Sequence, residues 1–326
     1  MKEDARPPLL VLTRMSPALR ERLEERFTLH DAMDAAPLEE IEAVATDGHR
    51  GLSDAEMARV PRLRIVSCYG VGYDNIDAEA AARRGVVVTH TPDVLDDEVA
   101  NTTIALLLAV TRRVVLYDRW VREGRWERDG APPLTRGLRG RRVGLLGLGR
   151  IGTAIAEKLG VFGVEIGYHT RTPKDVAHRH FAELRALAEW SDVLIVIVPG
   201  TPATRGMVDR AVLDALGPDG TLVNVARGSV VDENALIDAL ENGRLGAAGL
   251  DVFADEPRVP ERLRAMDRVV LLPHVGSATV ETRDAMAALA ASNVFDLLDH
   301  GTVRTPVPEC ADVVPTAGPN KRRATP

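Results

Sequence analysis

The sequence predicts an α/β fold of two doubly wound parallel-sheet domains with a cleft between them. Three observations carry this. Short apolar runs alternate with helical stretches along most of the 326 residues, which is the rhythm of parallel sheets covered by helices on both faces. The run Val143–Leu146 ends in Gly147-Leu148-Gly149-Arg150-Ile151-Gly152 and passes into alanine-rich helical sequence, so a strand meets a tight turn and then a helix. Between the two α/β halves lies Val94–Arg113, apolar on nearly every face, with Asp97 and Glu98 at its start and Arg112-Arg113 at its end. These charges suit a helix dipole, and the apolar middle suits burial.

Taken in order, Leu9–Thr13 reads as the first strand. Ser16-Pro17 supplies an N-cap and a proline at the first helical position, opening a helix to Phe27. Ile41–Thr46 is a strand; Ser53 caps a helix, Asp54–Val60, that Pro61 stops. Leu63–Ser67 is a strand ending in Tyr69-Gly70-Val71-Gly72-Tyr73, and Asp77 caps a helix, Ala78–Arg84, before the strand Val86–Thr89. Arg119–Arg139, rich in Arg, Gly and Pro, reads as a loop. After the glycine turn come a helix, Thr153–Gly160, and strands at Val164–Tyr168, Val193–Val198, Leu222–Val225, Gly246–Asp251 and Val269–Leu272. Helices are expected at Phe181–Trp190, Asp232–Gly243 and Thr279–His300, the last returning to the first half. Thr302–Pro326 is Pro-rich and reads as a flexible tail.

Composition excludes several classes. With 45% hydrophobic and 27% charged residues the chain is an ordinary soluble globular protein. A net charge of −7 argues against a nucleic-acid partner. No apolar run approaches the roughly 18 residues of a membrane span, and MKEDARPP is no signal peptide. Cys68 and Cys310 make neither a disulfide framework nor a metal set, so no metal is expected and the cytoplasm is the expected compartment.

The glycine turn has a specific chemistry. Gly147 permits the sharp turn, Gly149 lets backbone approach a pyrophosphate, and Gly152 lets the helix pack on the strand, its unpaired N–H groups facing the anion. The next strand ends in Tyr168-His169-Thr170-Arg171-Thr172-Pro173-Lys174. An NAD-binding unit has a carboxylate here for the ribose 2′-hydroxyl. Arg171 stands in its place beside Thr172, suiting a 2′-phosphate. NADP(H) is therefore expected over NAD(H).

Three polar residues stand at or soon after strand ends in the second half: Arg227 in NVARG, Glu256 in GLDVFADEP and His274 in LPHVGS. Each alone is ordinary; together they meet the needs of hydride transfer to a 2-keto acid. Arg holds the carboxylate and polarises the carbonyl. His delivers a proton near neutral pH, and a carboxylate behind it fixes its tautomer. The Gly70–Gly72 loop, beyond the end of a first-half strand, offers backbone N–H groups to a small anion.

The ordered motifs GVGYDNID, TPDVLDDEVA, GLGRIG, VPGTPATRG, NVARGSVVDENAL, GLDVFADEP and LPHVGSAT resemble those of the D-isomer-specific 2-hydroxyacid dehydrogenases, from about Leu9 to Val307. The resemblance implies a flavodoxin-like substrate domain over 1–97 and 281–301 and a Rossmann dinucleotide-binding domain over 98–280. It implies His274 as acid/base, Glu256 as its partner and Arg227 as the third member of a catalytic trio, with Val71 and Gly72 donating N–H groups to the substrate carboxylate. It places cofactor contacts at Gly147, Leu148, Gly149, Arg150, Ile151, Gly152, His169, Arg171, Thr172, Val198, Pro199, Thr204, Val225, Ala226, Arg227, His274, Gly276 and Ser277, and Asp251 near the nicotinamide amide. It also implies a homodimer through the nucleotide domains. HTRTPK and VPGTPATR are most similar to the NADPH-dependent glyoxylate/hydroxypyruvate reductases. Asn101 departs from members with an acid there. Phosphoglycerate dehydrogenases share this core, but the NAD acid and the usual long extension are missing; formate dehydrogenases have an amide where Glu256 stands. The corepressors that resemble this family and sense NAD(P)H are the alternative of another class.

Overall fold

The computed structural model describes residues 6–313. It divides into two compact units: 6–95 with 278–313, and 96–277.

The first unit begins β1 (Pro8–Val11), α1 (Pro17–Glu24), β2 (Thr28–His30), β3 (Ala43–Thr46), α2 (Asp54–Met57), β4 (Ile65–Cys68), α3 (Ala78–Arg83) and β5 (Val87–Thr89). The sheet order is β2-β1-β3-β4-β5, with every pairing parallel, the flavodoxin-like order. β3, β4 and β5 are buried at every residue, as expected for strands covered on both faces. The expected caps form. Ser16 accepts from the Leu19 amide and Asp77 from the Ala80 amide. Ser53 and Glu56 make a reciprocal capping box, a motif that stabilises a short helix by about 1 kcal/mol.

The second unit contains α4 (Asp96–Thr111), α5 (Val114–Arg122), α6 (Arg125–Asp129), β6 (Arg142–Leu146), α7 (Arg150–Leu159), β7 (Glu165–His169), β8 (Arg179–His180), α8 (Leu184–Trp190), β9 (Val193–Val196), α9 (Arg210–Leu216), β10 (Thr221–Asn224), α10 (Glu233–Glu241), β11 (Ala247–Leu250), α11 (Glu261–Arg264) and β12 (Val269–Leu271). Its sheet runs β12-β11-β10-β9-β6-β7-β8, all parallel. Counted from β6 this is the doubly wound Rossmann order with one added edge strand, and the order reverses between β6 and β9. Helix α4 packs on α7, β10, β11 and β12, burying Ala100, Leu106, Leu107 and Val110 in one core cluster with β6 and β9.

Helix α12 (Val280–His300) returns to the first unit. Its Ala287, Ala290, Ala291, Val294 and Leu297 close a core with Leu9, Val11, Ala43, Ala45 and Ile65 of β1, β3 and β4. Small residues on α12 let the helix lie close to the sheet. Among the described residues, no single helix is long and apolar enough to cross a membrane.

Two expectations are corrected. The stretch 119–139 is not one loop: it holds the end of α5 and all of α6. Arg125 lies 3.5 Å over the Trp120 ring, and the Trp120 indole donates to Gly130 O. Arginine-rich sequence here is helical because its charges pair locally, Arg122 with Asp118 and Arg125 with Asp129. The expected tail is also wrong as far as it is described. Residues 302–313 pack in the first unit: Pro306 bridges Thr89, the Val307 amide donates to Val88 O, and Val307 and Cys310 are fully buried. Residues 314–326 lie outside the described residues. Four short elements, β2, β8, α9 and α11, carry too little periodicity to be read from sequence.

Val307→Ala would leave a cavity in the core cluster that Val307 shares with Val66, Val88 and Cys68, and is expected to cost about 2 kcal/mol of stability. A urea midpoint equal to that of the unaltered protein would show that this segment does not belong to the folded core.

Candidate active site

The second unit concentrates its polar residues beyond the carboxyl ends of its strands, where ligands of open α/β sheets sit. Gly147 follows β6 at φ +105°, and a Cβ there would lie 2.5 Å from Ile197 O. A Cβ on Gly152 would meet Gly147 O at 2.7 Å, so only glycine lets α7 approach the turn. Gly149 caps α7 without a side chain, and among the described residues a Cβ on it would meet nothing within 4 Å. Its smallness serves no internal contact; it leaves space at a helix N-terminus suited to a phosphate. Arg150, the first residue of α7, donates to Asp96 at 3.1 Å.

The turn after β7 is pinned by Tyr168, whose side chain is buried. Its hydroxyl accepts from the Lys174 amide at 2.8 Å and donates to Lys174 O at 3.2 Å. Thr170 Oγ1 donates to Thr172 O, and His169 Nδ1 donates to Phe181 O at 2.9 Å. Arg171 and Thr172 sit exposed at the tip of this fixed turn, with no carboxylate between them and Lys174. Thr204 spends its hydroxyl on its own loop, donating to Pro199 O and accepting from the Thr201 amide.

Three segments assemble around β10, β11 and β12. Buried Asn224 ends β10; its Oδ1 accepts from the Ala226 amide and its Nδ2 donates to Arg227 O. That clasp sets the backbone of Arg227, whose Nη1 donates to Ala226 O. Gly228 then lies so close to Phe253 that a Cβ would be 1.9 Å from its carbonyl carbon. The Phe253 amide in turn donates to Glu256 Oε1 at 3.0 Å. The other oxygen, Oε2, is 2.8 Å from His274 Nδ1. A carboxylate accepts, so Nδ1 carries the hydrogen and Nε2 is directed away from Glu256. Glu256 and His274 are thus in direct contact, and the Arg227 turn reaches them through Gly228 and Phe253.

His274 has a left-handed backbone, φ +54°, which a non-glycine residue adopts only when its surroundings hold it there. Asp251 does the holding. Its carbonyl accepts from the His274 amide, and its two carboxylate oxygens accept from the amides of Val275 and Gly276 at 2.8 and 2.9 Å. Asp251 is 2% exposed. Burial pushes its carboxyl above the ordinary range, against the pull of those donors and of His274. Thr102 of α4 secures the same turn through Gly276 O. Neither Asn224 nor this role of Asp251 is evident from sequence. The available signal is their position: Asn224 is the last residue of buried β10 and Asp251 the first after β11, each ahead of a candidate site residue.

The first unit has a smaller feature. The Gly70–Gly72 loop leaves the carboxyl end of β4. The Gly70 amide donates to Cys68 O. Among the described residues, the amides of Val71 and Gly72 make no hydrogen bond to protein, although both residues are partly buried. Asn101, by contrast, sits exposed on α4 and donates to Glu98.

A doubly wound sheet whose first strand opens through a glycine turn onto a helix N-terminus defines a dinucleotide-binding protein. Residues 104–276 match the family described as D-isomer specific 2-hydroxyacid dehydrogenase, NAD binding domain. Glyoxylate/hydroxypyruvate reductase A of Arabidopsis thaliana is 44% identical over 308 residues, 92% of this chain and 98% of that protein. The 2-ketogluconate reductase of Gluconobacter oxydans is 42% identical over 308 residues, 93% and 99% of the two chains. Among solved structures, the NADPH-dependent glyoxylate/hydroxypyruvate reductase of Sinorhizobium meliloti in complex with NADP and malonate superposes with a TM-score of 0.91 at 46% identity, covering 96% of this chain and 100% of that one. The chain belongs to the D-isomer-specific 2-hydroxyacid dehydrogenase family.

Proposed function

We propose that this chain reduces a small 2-keto acid, of the glyoxylate or hydroxypyruvate type, to the D-2-hydroxy acid at the expense of NADPH. The observation that carries the reading is the His274–Glu256 hydrogen bond beyond the carboxyl ends of a dinucleotide-type sheet. The likeness to reductases of these substrates supports it.

The glycine turn, the open space at Gly149 and the carboxylate-free turn at Arg171 fit NADP(H). Gly147–Gly152 would hold the pyrophosphate, and Arg171 and Thr172 the 2′-phosphate, with His169 at the end of β7 just before them. The segments at Val198, Pro199, Thr204, Val225, Ala226, Gly276 and Ser277 would line the rest of the nucleotide. When bound, NADPH supplies the hydride. Arg227 holds the substrate carboxylate and polarises the ketone oxygen. His274 acts as the imidazolium, with a hydrogen on each nitrogen: it releases the Nε2 proton to that oxygen as it gains negative charge and is left neutral with its hydrogen on Nδ1, so carbonyl, hydride and proton give one alcohol. Glu256 keeps the hydrogen on Nδ1 and the ring in place. The amides of Val71 and Gly72 bind the substrate carboxylate. Asp251, with both oxygens committed to the turn after His274, has only its remaining lone pairs for the nicotinamide amide.

A homodimer joined through the second units belongs to the same reading. Its support is the apolar surface that α5, α6 and the following turn expose, with Val121 58%, Trp126 63% and Leu134 98% accessible.

Loss of absorbance at the NADPH band with glyoxylate, hydroxypyruvate, pyruvate and phenylpyruvate tests the activity and ranks the substrates. No turnover with any of them would favour a nucleotide-sensing protein. His274→Ala is expected to lower kcat by about 10²–10⁴-fold with NADPH affinity intact; turnover near that of the unaltered enzyme would remove His274 from the chemistry. Arg171→Ala is expected to weaken NADPH by about tenfold or more and leave NADH nearly unchanged, and equal effects would place the 2′-phosphate elsewhere. Light scattering should return twice the mass of one chain, and a monomer would refute the dimer.

A further inference from the structure

The loop that offers the Val71 and Gly72 amides is fixed by its carbonyls. In a planar trans peptide, the C=O of one residue and the N–H of the next point in opposite directions. Whatever holds the Gly70 carbonyl therefore aims the Val71 N–H, and whatever holds the Val71 carbonyl aims the Gly72 N–H. The Thr91 amide donates to Gly70 O at 2.9 Å. His90 Nδ1 lies 3.0 Å from Val71 O. A carbonyl only accepts, so Nδ1 is the protonated nitrogen of His90.

His90 is itself held by the segment that follows α12. Its amide donates to Thr305 O at 3.1 Å, and its carbonyl accepts from Thr305 Oγ1 at 2.6 Å. Thr305 is placed by Asn293, a fully buried residue of α12. Asn293 Oδ1 accepts from the amides of Arg304 and Thr305, and its Nδ2 donates to Thr305 Oγ1 at 2.9 Å. On the other side, Tyr73 meets the His90 ring edge-on, with centroids 5.6 Å apart, and donates its hydroxyl to Glu309 of the same segment.

We propose that His90 is a positioning residue for the substrate carboxylate: its Nδ1–H locks the Val71–Gly72 peptide plane so that the Gly72 N–H faces the anion, and Thr305 of the chain after α12 braces His90. This rests on the reading of the two amides as carboxylate donors. His90 does not touch substrate. Its effect is confined to a ligand that carries a negative charge, and that separates it from a general packing role.

The test compares glyoxylate with glycolaldehyde, which presents the same aldehyde but a hydroxymethyl group in place of the carboxylate. His90→Leu keeps bulk against Tyr73 and removes the donor. It is expected to raise KM for glyoxylate about tenfold, the value of a misaimed hydrogen bond to a charge, while kcat changes less than about threefold. Its kcat/KM for glycolaldehyde and its NADPH affinity should stay as they were. His90→Asn places an amide nitrogen where Nδ1 stood and should restore most of the glyoxylate KM. Thr305→Val should move KM the same way by a smaller factor, and it carries the comparison alone if the leucine variant does not fold. An equal loss on both substrates, an unmoved glyoxylate KM, or no recovery with asparagine would overturn the proposal. If the unaltered enzyme itself turns over glycolaldehyde as well as glyoxylate, the assignment of the amides to a carboxylate falls first, and this proposal with it.

Discussion

The hydrogen bond between His274 Nδ1 and Glu256 Oε2 is the interaction to which the polar architecture of the second unit is subordinated. Neither partner sits on a regular element. Each is on a turn, and each is tied down by hydrogen bonds from backbone amides. Glu256 is gripped through its other oxygen by the Phe253 amide, and Phe253 abuts Gly228. His274 is held in a left-handed conformation by three amide bonds that converge on Asp251. Most of the donors that fix this pair are main-chain N–H groups, which cannot change rotamer. The proton transfer proposed for His274 would require placement to within fractions of an ångström, and rigid surroundings are how such accuracy is reached.

Parallel pairing explains why these turns converge. All strands of the sheet end on the same edge, so every strand-to-helix turn is delivered there. β10, β11 and β12 are neighbours in the sheet, and the turns after them carry Arg227, Asp251 with Glu256, and His274. The sequence separation of these residues is large because a helix intervenes each time, but the lateral separation is one strand spacing per step, about 4.8 Å. Burial of Asp251 is the cost of this arrangement: a carboxyl with raised proton affinity sits beneath the site, compensated by two N–H donors.

Much of this was legible before any coordinates. The alternating apolar runs gave both sheets, because strands buried on two faces need continuous apolar sequence and leave no ambiguity with amphipathic helices. The N-caps at Ser16, Ser53 and Asp77 were readable because capping is local chemistry. Gly147 and Gly152 behaved as steric requirements, as the turn demanded. What escaped was non-local. Residues 302–313 look like a tail because prolines and single apolar residues have no periodicity; their order comes from Val88, Asn293 and the core, all distant in sequence. The stretch 119–139 looked irregular because its helices are short and crowded with arginine, and an Arg–Trp stack and local ion pairs accompany them. Asn224 and His90 were silent for the same reason. Their significance lies in which carbonyl or amide they meet, and no pattern of residue types encodes that.

The chain leaves the first unit at residue 95 and returns to it at 278. During synthesis on a ribosome the second unit is therefore continuous, while the first waits. Until residue 297 has emerged, the face of β1, β3 and β4 that α12 covers is bare, and the slot for Val307 stays empty longer still. Domains made in one piece fold in the order in which they are translated; here the later-made unit reaches completion before the one that starts the chain. The half-built sheet at the N-terminus is thus the species that a nascent-chain chaperone would meet, and its exposure lasts for the whole time taken to translate the nucleotide-type unit.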